Sequence, residues 1–172
     1  MAHILTVYFS RKGQTIGPGM QILSVEQGNT AVAAGYIQKA VGGDLFELEA
    51  DREYAEDHMV LIQQAKEELE QGIRVPVKAY PPHLEQYDTI FLGYPNWWNT
   101  MPMVLFTFLE NAGLRGKRII PFCTNEGSGL GNNVQDIRSL CPDAQVEKGA
   151  AFLGSRVRNS EEQIARWAKS QL

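Results

Sequence analysis

An α/β fold, with parallel strands covered by helices on both faces, is what this 172-residue sequence predicts. Strand-like and helix-like segments alternate five times along the chain. The first of them, "HILTVYF" (3–9), is apolar or β-branched almost throughout, as a strand buried on both sides must be. Apolar residues make up 44% and charged residues 21%, so a chain of this length can fill one ordinary core, and a single domain over 1–172 is expected.

After the first strand, a polar and glycine-containing insertion at about 11–27 is long for a βα connection, and "MQILSVEQ" within it suggests a short extra strand or hairpin. "NTAVAAGYIQKAV" (29–41) reads as a helix capped by Asn29 or Thr30, with Val32, Tyr36 and Val41 broadly on one side. "DLFELE" (44–49) alternates as a second strand. "DHMVLIQQAKEELEQG" (57–72) is a helix whose apolar face is Leu61, Ile62, Ala65 and Leu69, ending at Gly72. "GIRVPVKAYPPHLEQ" (72–86) is a proline-bearing surface connection.

"YDTIFLGYP" (87–95) holds a third strand that stops at its glycine and proline. "TMPMVLFTFLENAG" (100–113) makes a helix from about Pro102. "GKRIIPFC" (116–123) is the fourth strand, and "LGNNVQDIRSLC" (130–141) spaces Leu130, Val134, Ile137 and Leu140 at helical intervals. "AQVEKGAAF" (144–152) supplies an outer fifth strand. "SEEQIARWAKSQL" (160–172) opens with a capping box of Ser160 and Gln163.

Several function classes fall away at this stage. A net charge of −4 without any basic stripe argues against a nucleic-acid partner. No apolar run reaches the roughly 18 residues of a membrane span. The N-terminal apolar run is short and lacks a basic segment or cleavage pattern, so a cytoplasmic protein is expected. Cys123 and Cys141 have neither disulfide-framework nor metal-site spacing and read as buried thiols. "EGSGL" is not a nucleophile elbow, since Glu126 stands where glycine is needed. No catalytic residue and no metal site is expected. His3, His58 and His83 all fall outside the loops that carry chemistry.

Those loops follow the first, third and fourth strands, where an open parallel sheet binds ligands. Behind the first strand, Ser10, Thr15, Asn29 and Thr30 offer hydrogen bonds, Gly28 allows close approach, and a helix start offers free amides to an anion. Either "KGQT" or "QGNT" could form the turn; the second leads directly into the helix. "YPNWWNT" follows the third strand. Adjacent strand residues face opposite ways, so Trp97 and Trp98 cannot both be core there, though on a loop both can wall a flat ligand. "TNEGSGLG" follows the fourth strand as a glycine turn with free backbone groups. An anion hook beside aromatic walls describes a planar ring carrying a phosphate. No GxxxxGK[ST] or GxGxxG is present, so neither a nucleoside triphosphate nor a dinucleotide is indicated.

"YFSR…GNT", "GYPNWW…MP" and "PFCT…GSGLG", in this order and within a pattern running over nearly the whole chain, resemble the flavodoxin-like superfamily, and within it single-domain flavodoxin-type proteins. The resemblance implies a three-layer fold with a five-stranded parallel sheet in the order 2-1-3-4-5, and non-covalent FMN. It implies electron transfer to or from a redox partner, by a monomer or homodimer; alternatives are FMN-dependent reduction of small acceptors such as quinones, or a flavin-free interaction role. By motif, Ser10, Arg11, Gly28, Asn29 and Thr30 correspond to the phosphate-binding part. Pro95, Asn96, Trp97, Trp98 and Asn99 correspond to one side of the ring. Thr124, Asn125, Glu126, Gly127, Ser128 and Gly129 correspond to the other. Asn125 stands where related proteins tend to have histidine.

Overall fold

The computed structural model describes residues 3–16 and 21–172. Its main sheet contains β1 (Ile4–Tyr8), β4 (Asp44–Glu47), β5 (Thr89–Pro95), β6 (Arg118–Asn125) and two short strands, β7 (Gln145–Val146) and β8 (Ala150–Leu153). All pair in parallel in the order β4-β1-β5-β6, with β7 and β8 both on the outer edge of β6. Counting the two short pieces as one strand gives the expected 2-1-3-4-5.

The alternation of side chains along the central strands divides the interior in two. Leu5 and Val7 of β1, with Ile90, Leu92 and Tyr94 of β5, face Val104, Leu105 and Phe108 of α3 (Met103–Asn111) and Ile137 of α4 (Asn133–Leu140). Ile4 and Tyr8, with Phe91, Ile120 and Phe122, face Ala33, Ala34 and Ile37 of α1 (Asn29–Val41) and Ile164 and Ala168 of α5 (Glu161–Ser170). Helix α2 (His58–Gln71) joins the first of these layers through Leu69. Asp57 caps it, accepting from the Val60 amide, and left-handed Gly72 ends it. Its inward face carries a carboxylate the sequence pattern did not suggest. Glu68 is buried and takes hydrogen bonds from Arg52 (2.7 Å) and the Tyr54 hydroxyl (2.8 Å).

Four details differ from expectation. β5 runs on through Gly93 to Pro95, because the missing side chain at 93 makes room for the Phe122 ring. The fifth strand is broken around Gly149, whose φ of 76° is left-handed and which packs on the Pro121 backbone. No capping box forms at α5: the Ser160 hydroxyl instead donates to the Arg156 carbonyl of the preceding 3-10 turn, Gly154–Asn159. Helix α1 is entered at Gly28, and neither Asn29 nor Thr30 caps it with its side chain.

The insertion contains an antiparallel hairpin, β2 (Gly13–Ile16) with β3 (Ile22–Val25). Residues 17–20, part of the predicted "MQILSVEQ" segment among them, lie outside the described residues.

Candidate functional site

The loops behind β1, β5 and β6 meet at the carboxyl edge of the sheet. The turn behind β1 closes by contacts between residues far apart in sequence. The Ser10 hydroxyl accepts from the Ala31 amide (3.1 Å), taking one of the free donors of α1. Gly28 lies so close to the Arg11 carbonyl and the Ser10 hydroxyl that any side chain there would overlap them. Arg158 donates to the Asn29 side-chain oxygen (2.6 Å) and the Gln27 carbonyl (2.5 Å), fixing the turn from the far side. Thr30 is buried and shares a hydrogen bond with Thr124 (2.8 Å). The backbone amides of Asn29 and Thr30 have no partner among the described residues, which leaves two aligned donors at a helix N-terminus.

Behind β5, the Asn96 amide donates to the Thr124 carbonyl (2.9 Å) and its side chain to the Gly129 carbonyl (2.7 Å), so the loops after β5 and β6 are stitched together. Trp97 and Thr100 exchange backbone hydrogen bonds around a tight turn. Inside that turn Trp98 and Asn99 both have positive φ, 54° and 71°, a conformation that costs a side-chain-bearing residue of order 1 kcal/mol or more. Trp98 is held there by its indole N–H, which donates to the Ile62 carbonyl on α2 (2.8 Å). Trp97 packs edge-on against Phe9 and Tyr54. The pair thus divides its labour: Trp97 is half-buried, Trp98 is 45% exposed, and both face one cavity.

Behind β6, Asn125 folds its own turn. Its side-chain oxygen accepts from the amides of Gly127 (2.7 Å) and Gly129 (3.1 Å), and its amide donates to the Phe152 carbonyl (3.2 Å). Asparagine here is an organiser of the loop. The Glu126 carboxylate accepts from the Ser155 amide (2.7 Å).

These loops enclose a cavity of about 380 Å³, within the range of small-molecule sites. Asn29, Pro95, Asn96, Trp97, Trp98, Thr124, Asn125, Glu126 and Ser128 of the predicted set line it. Ser10, Gly28, Thr30, Gly127 and Gly129 shape the turns behind it. Asn99 points its backbone carbonyl to the Asn132 amide and packs on Gly131 instead. The Arg11 guanidinium is spent on the carbonyls of Gln14, Ala55 and Glu56, and is no free phosphate ligand.

Thr15, singled out in the sequence for its hydroxyl, lines the cavity from the hairpin; what sequence reasoning missed is the fourth wall beside it, His58, Leu61, Ile62 and Ala65 of α2. His58, expected to lie outside the site, is therefore in it. Arg158, whose role at the turn is clear in three dimensions, lies more than 120 residues from it in sequence and carries no motif. The residues present suit a mononucleotide: free helix amides for an anion, aromatic walls for a ring, and backbone groups held still by Asn96 and Asn125.

The sequence matches the flavodoxin family over residues 3–171. Among solved structures, a candidate flavoprotein from Bacteroides eggerthii is 28% identical, with a TM-score of 0.73 and coverage of 96% of this chain and 99% of its own. A candidate flavoprotein from Bacteroides uniformis is 27% identical, with a TM-score of 0.74 and coverage of 98% of both chains. A flavoprotein from Lactobacillus acidophilus in complex with FMN shares the fold at 16% identity, with a TM-score of 0.65 over 92% of this chain and 98% of its own. No curated protein matches. The chain belongs to the flavodoxin family, and FMN as its cofactor stands with that membership. No helix among the described residues is long and apolar enough to cross a membrane.

Proposed function

We propose that this protein binds FMN without a covalent bond and serves as an electron-transfer protein. The observation that carries the reading is the cavity between the Trp97–Trp98 turn and the Asn125 turn, reaching Asn29 at the free N-terminus of α1. Bound FMN supplies the redox chemistry. The chain's part is to hold the phosphate on the amides of Asn29 and Thr30, to wall the ring with Trp97 and Trp98, and to present fixed backbone groups of residues 125–129 to it. The Glu126 carboxylate beside the cavity disfavours extra negative charge there, which lowers the reduction potential.

Exchange with a redox protein bearing a basic face is supported by six exposed carboxylates between Glu47 and Asp57, against Arg52 as the one basic residue in that stretch. They adjoin the cavity through His58, so attraction would bring such a partner to the cavity mouth. A second reading, reduction of small organic acceptors, is favoured by the apolar wall of Leu61, Ile62 and Ala65. Two buried, unpaired thiols suit a reducing compartment such as the cytoplasm.

The test is an absorbance spectrum of the purified protein before and after dialysis against FMN, followed by photoreduction and mixing with a one-electron acceptor protein. Flavin bands at one FMN per chain, and rapid reoxidation by that protein, are the expected result. A colourless protein that takes up no FMN would overturn the reading.

A further inference from the structure

His58 is the first residue of α2, and its surroundings fix its backbone while leaving its ring free. Its amide donates to the Gln14 side chain (3.0 Å), and the two carbonyls before Asp57 are held by Arg11 at 2.8 Å (Ala55) and 2.6 Å (Glu56). The imidazole lines the cavity, yet neither of its nitrogens has a hydrogen-bond partner among the described residues. Nδ1 is fully buried. Among the described residues three other buried side-chain polar atoms lack partners, on Thr6, Arg11 and Asn133, and none of these residues lines the cavity.

That asymmetry selects a tautomer. A proton on Nδ1 would be a buried donor with nothing to receive it, whereas Nε2 is not buried and can be satisfied by whatever occupies the cavity. A second proton would create the same orphan donor and add a charge facing Arg11. Among the described residues, the charged groups acting on the ring are Arg11 behind β1 and Asp57 before α2, with Glu126 behind β6 lining the same cavity. Burial, then Arg11, push the imidazole below its ordinary range, and Asp57 opposes them in part.

We infer that His58 is a ligand-binding residue: it presents a neutral Nε2–H to an uncharged acceptor, a carbonyl oxygen or ring nitrogen of the planar heterocycle in the cavity. The inference rests on the FMN reading above for the identity of that heterocycle. A neutral donor suits a neutral ring atom better than a phosphate, for which the amides at the start of α1 are already arranged.

Two measurements test it. With histidine labelled in ¹⁵N, the three imidazoles of the chain are resolved by NMR, and His58→Gln assigns the relevant one. The expected spectrum has the proton of His58 on Nε2, retained there when FMN is added, and a titration midpoint below about 6.5 in the free protein. FMN titrations followed by flavin fluorescence should show His58→Ala binding roughly fivefold to tenfold more weakly, the scale of one lost hydrogen bond. His58→Gln, whose amide can still donate, should bind within about twofold of the unaltered chain. A proton on Nδ1 in the FMN-bound protein, or equal FMN affinity in His58→Ala and the unaltered chain, overturns the role of His58 alone. No FMN uptake by the unaltered chain overturns the functional reading and this role with it.

Discussion

The hydroxyls of Thr30 and Thr124 lie 2.8 Å apart, joining the start of α1 to the end of β6 across 94 residues of sequence. Both residues are buried, so each hydroxyl has exchanged water for the other. Thr30→Val or Thr124→Val alone strands one buried hydroxyl and should cost about 1–3 kcal/mol. The double variant strands none and should cost clearly less than the sum of the two. Urea denaturation of the four proteins checks this; strict additivity would mean the hydrogen bond contributes nothing.

Glycine is needed at 28 for space and tolerated at 35 without need. Gly28→Ala would press its methyl into the Arg11 carbonyl and Ser10 hydroxyl, and a loss of about 1–3 kcal/mol is expected, with weakened FMN binding because the turn must open. Gly35 sits inside α1 with nothing within 4 Å of where a methyl would stand, so Gly35→Ala should add about 0.5–1 kcal/mol. Thermal melts of the two variants should move in opposite directions.

Asn125→Ala removes three hydrogen bonds from the turn behind β6, two from the Gly127 and Gly129 amides and one to the Phe152 carbonyl. With neutral bonds of about 0.5–1.5 kcal/mol each, a loss of roughly 2–3 kcal/mol is expected. FMN affinity should fall by more than about tenfold, since Gly127 and Gly129 would lose their fixed orientation. Asn125→Asp keeps both acceptor contacts but sets a carboxylate oxygen against the Phe152 carbonyl in place of the donor, so it should lose stability while keeping the Gly127 and Gly129 amides oriented. Stability and FMN titrations of both variants distinguish an organising role from simple contact.

Burial holds the thiol of Cys123 up to about 12 and that of Cys141 up to about 11, against about 8.5 for an exposed cysteine. The unfolded chain therefore releases these protons at lower pH than the folded one. The stability that goes with them is whole below about pH 8.5 and drains away as pH rises toward about 11 and 12. Urea midpoints should fall over that window, and less steeply in a variant with both cysteines replaced by serine. A thiol reagent at about pH 8 should label neither residue until the protein is unfolded.

The βα repeat was legible because doubly buried strands such as Ile4–Tyr8 are short runs of β-branched, aliphatic and aromatic residues that alternate with longer segments of helical periodicity. The Trp97–Trp98 and Thr124–Gly129 loops were legible because residue types that suit a ligand cluster in short runs. Glu68 and His58 were not. Glu68 looks like part of a solvated helix face, and only Arg52 and Tyr54, 16 and 14 residues away, make its burial possible. His58 reaches the cavity because a hairpin 44 residues earlier grips the start of its helix, a relation that leaves no local trace. The Ser160 capping box shows the opposite error: the motif was present, but a preceding 3-10 turn claimed its hydroxyl.

The insertion between β1 and α1 leaves and returns at nearly the same point, since Ser10 touches Ala31 and Gly28 touches Arg11. Its two ends could therefore be spliced by a short turn without moving either the strand or the helix. Topologically it is a removable cassette, and its length adds little chain entropy to the closure already made. Its grip on the start of α2 through Arg11 and Gln14 makes it a cassette with a passenger. Swapping it for another sequence would retune the fourth wall of the cavity while leaving the other three untouched, which marks this loop as the place where such a scaffold can change its ligand without changing its fold.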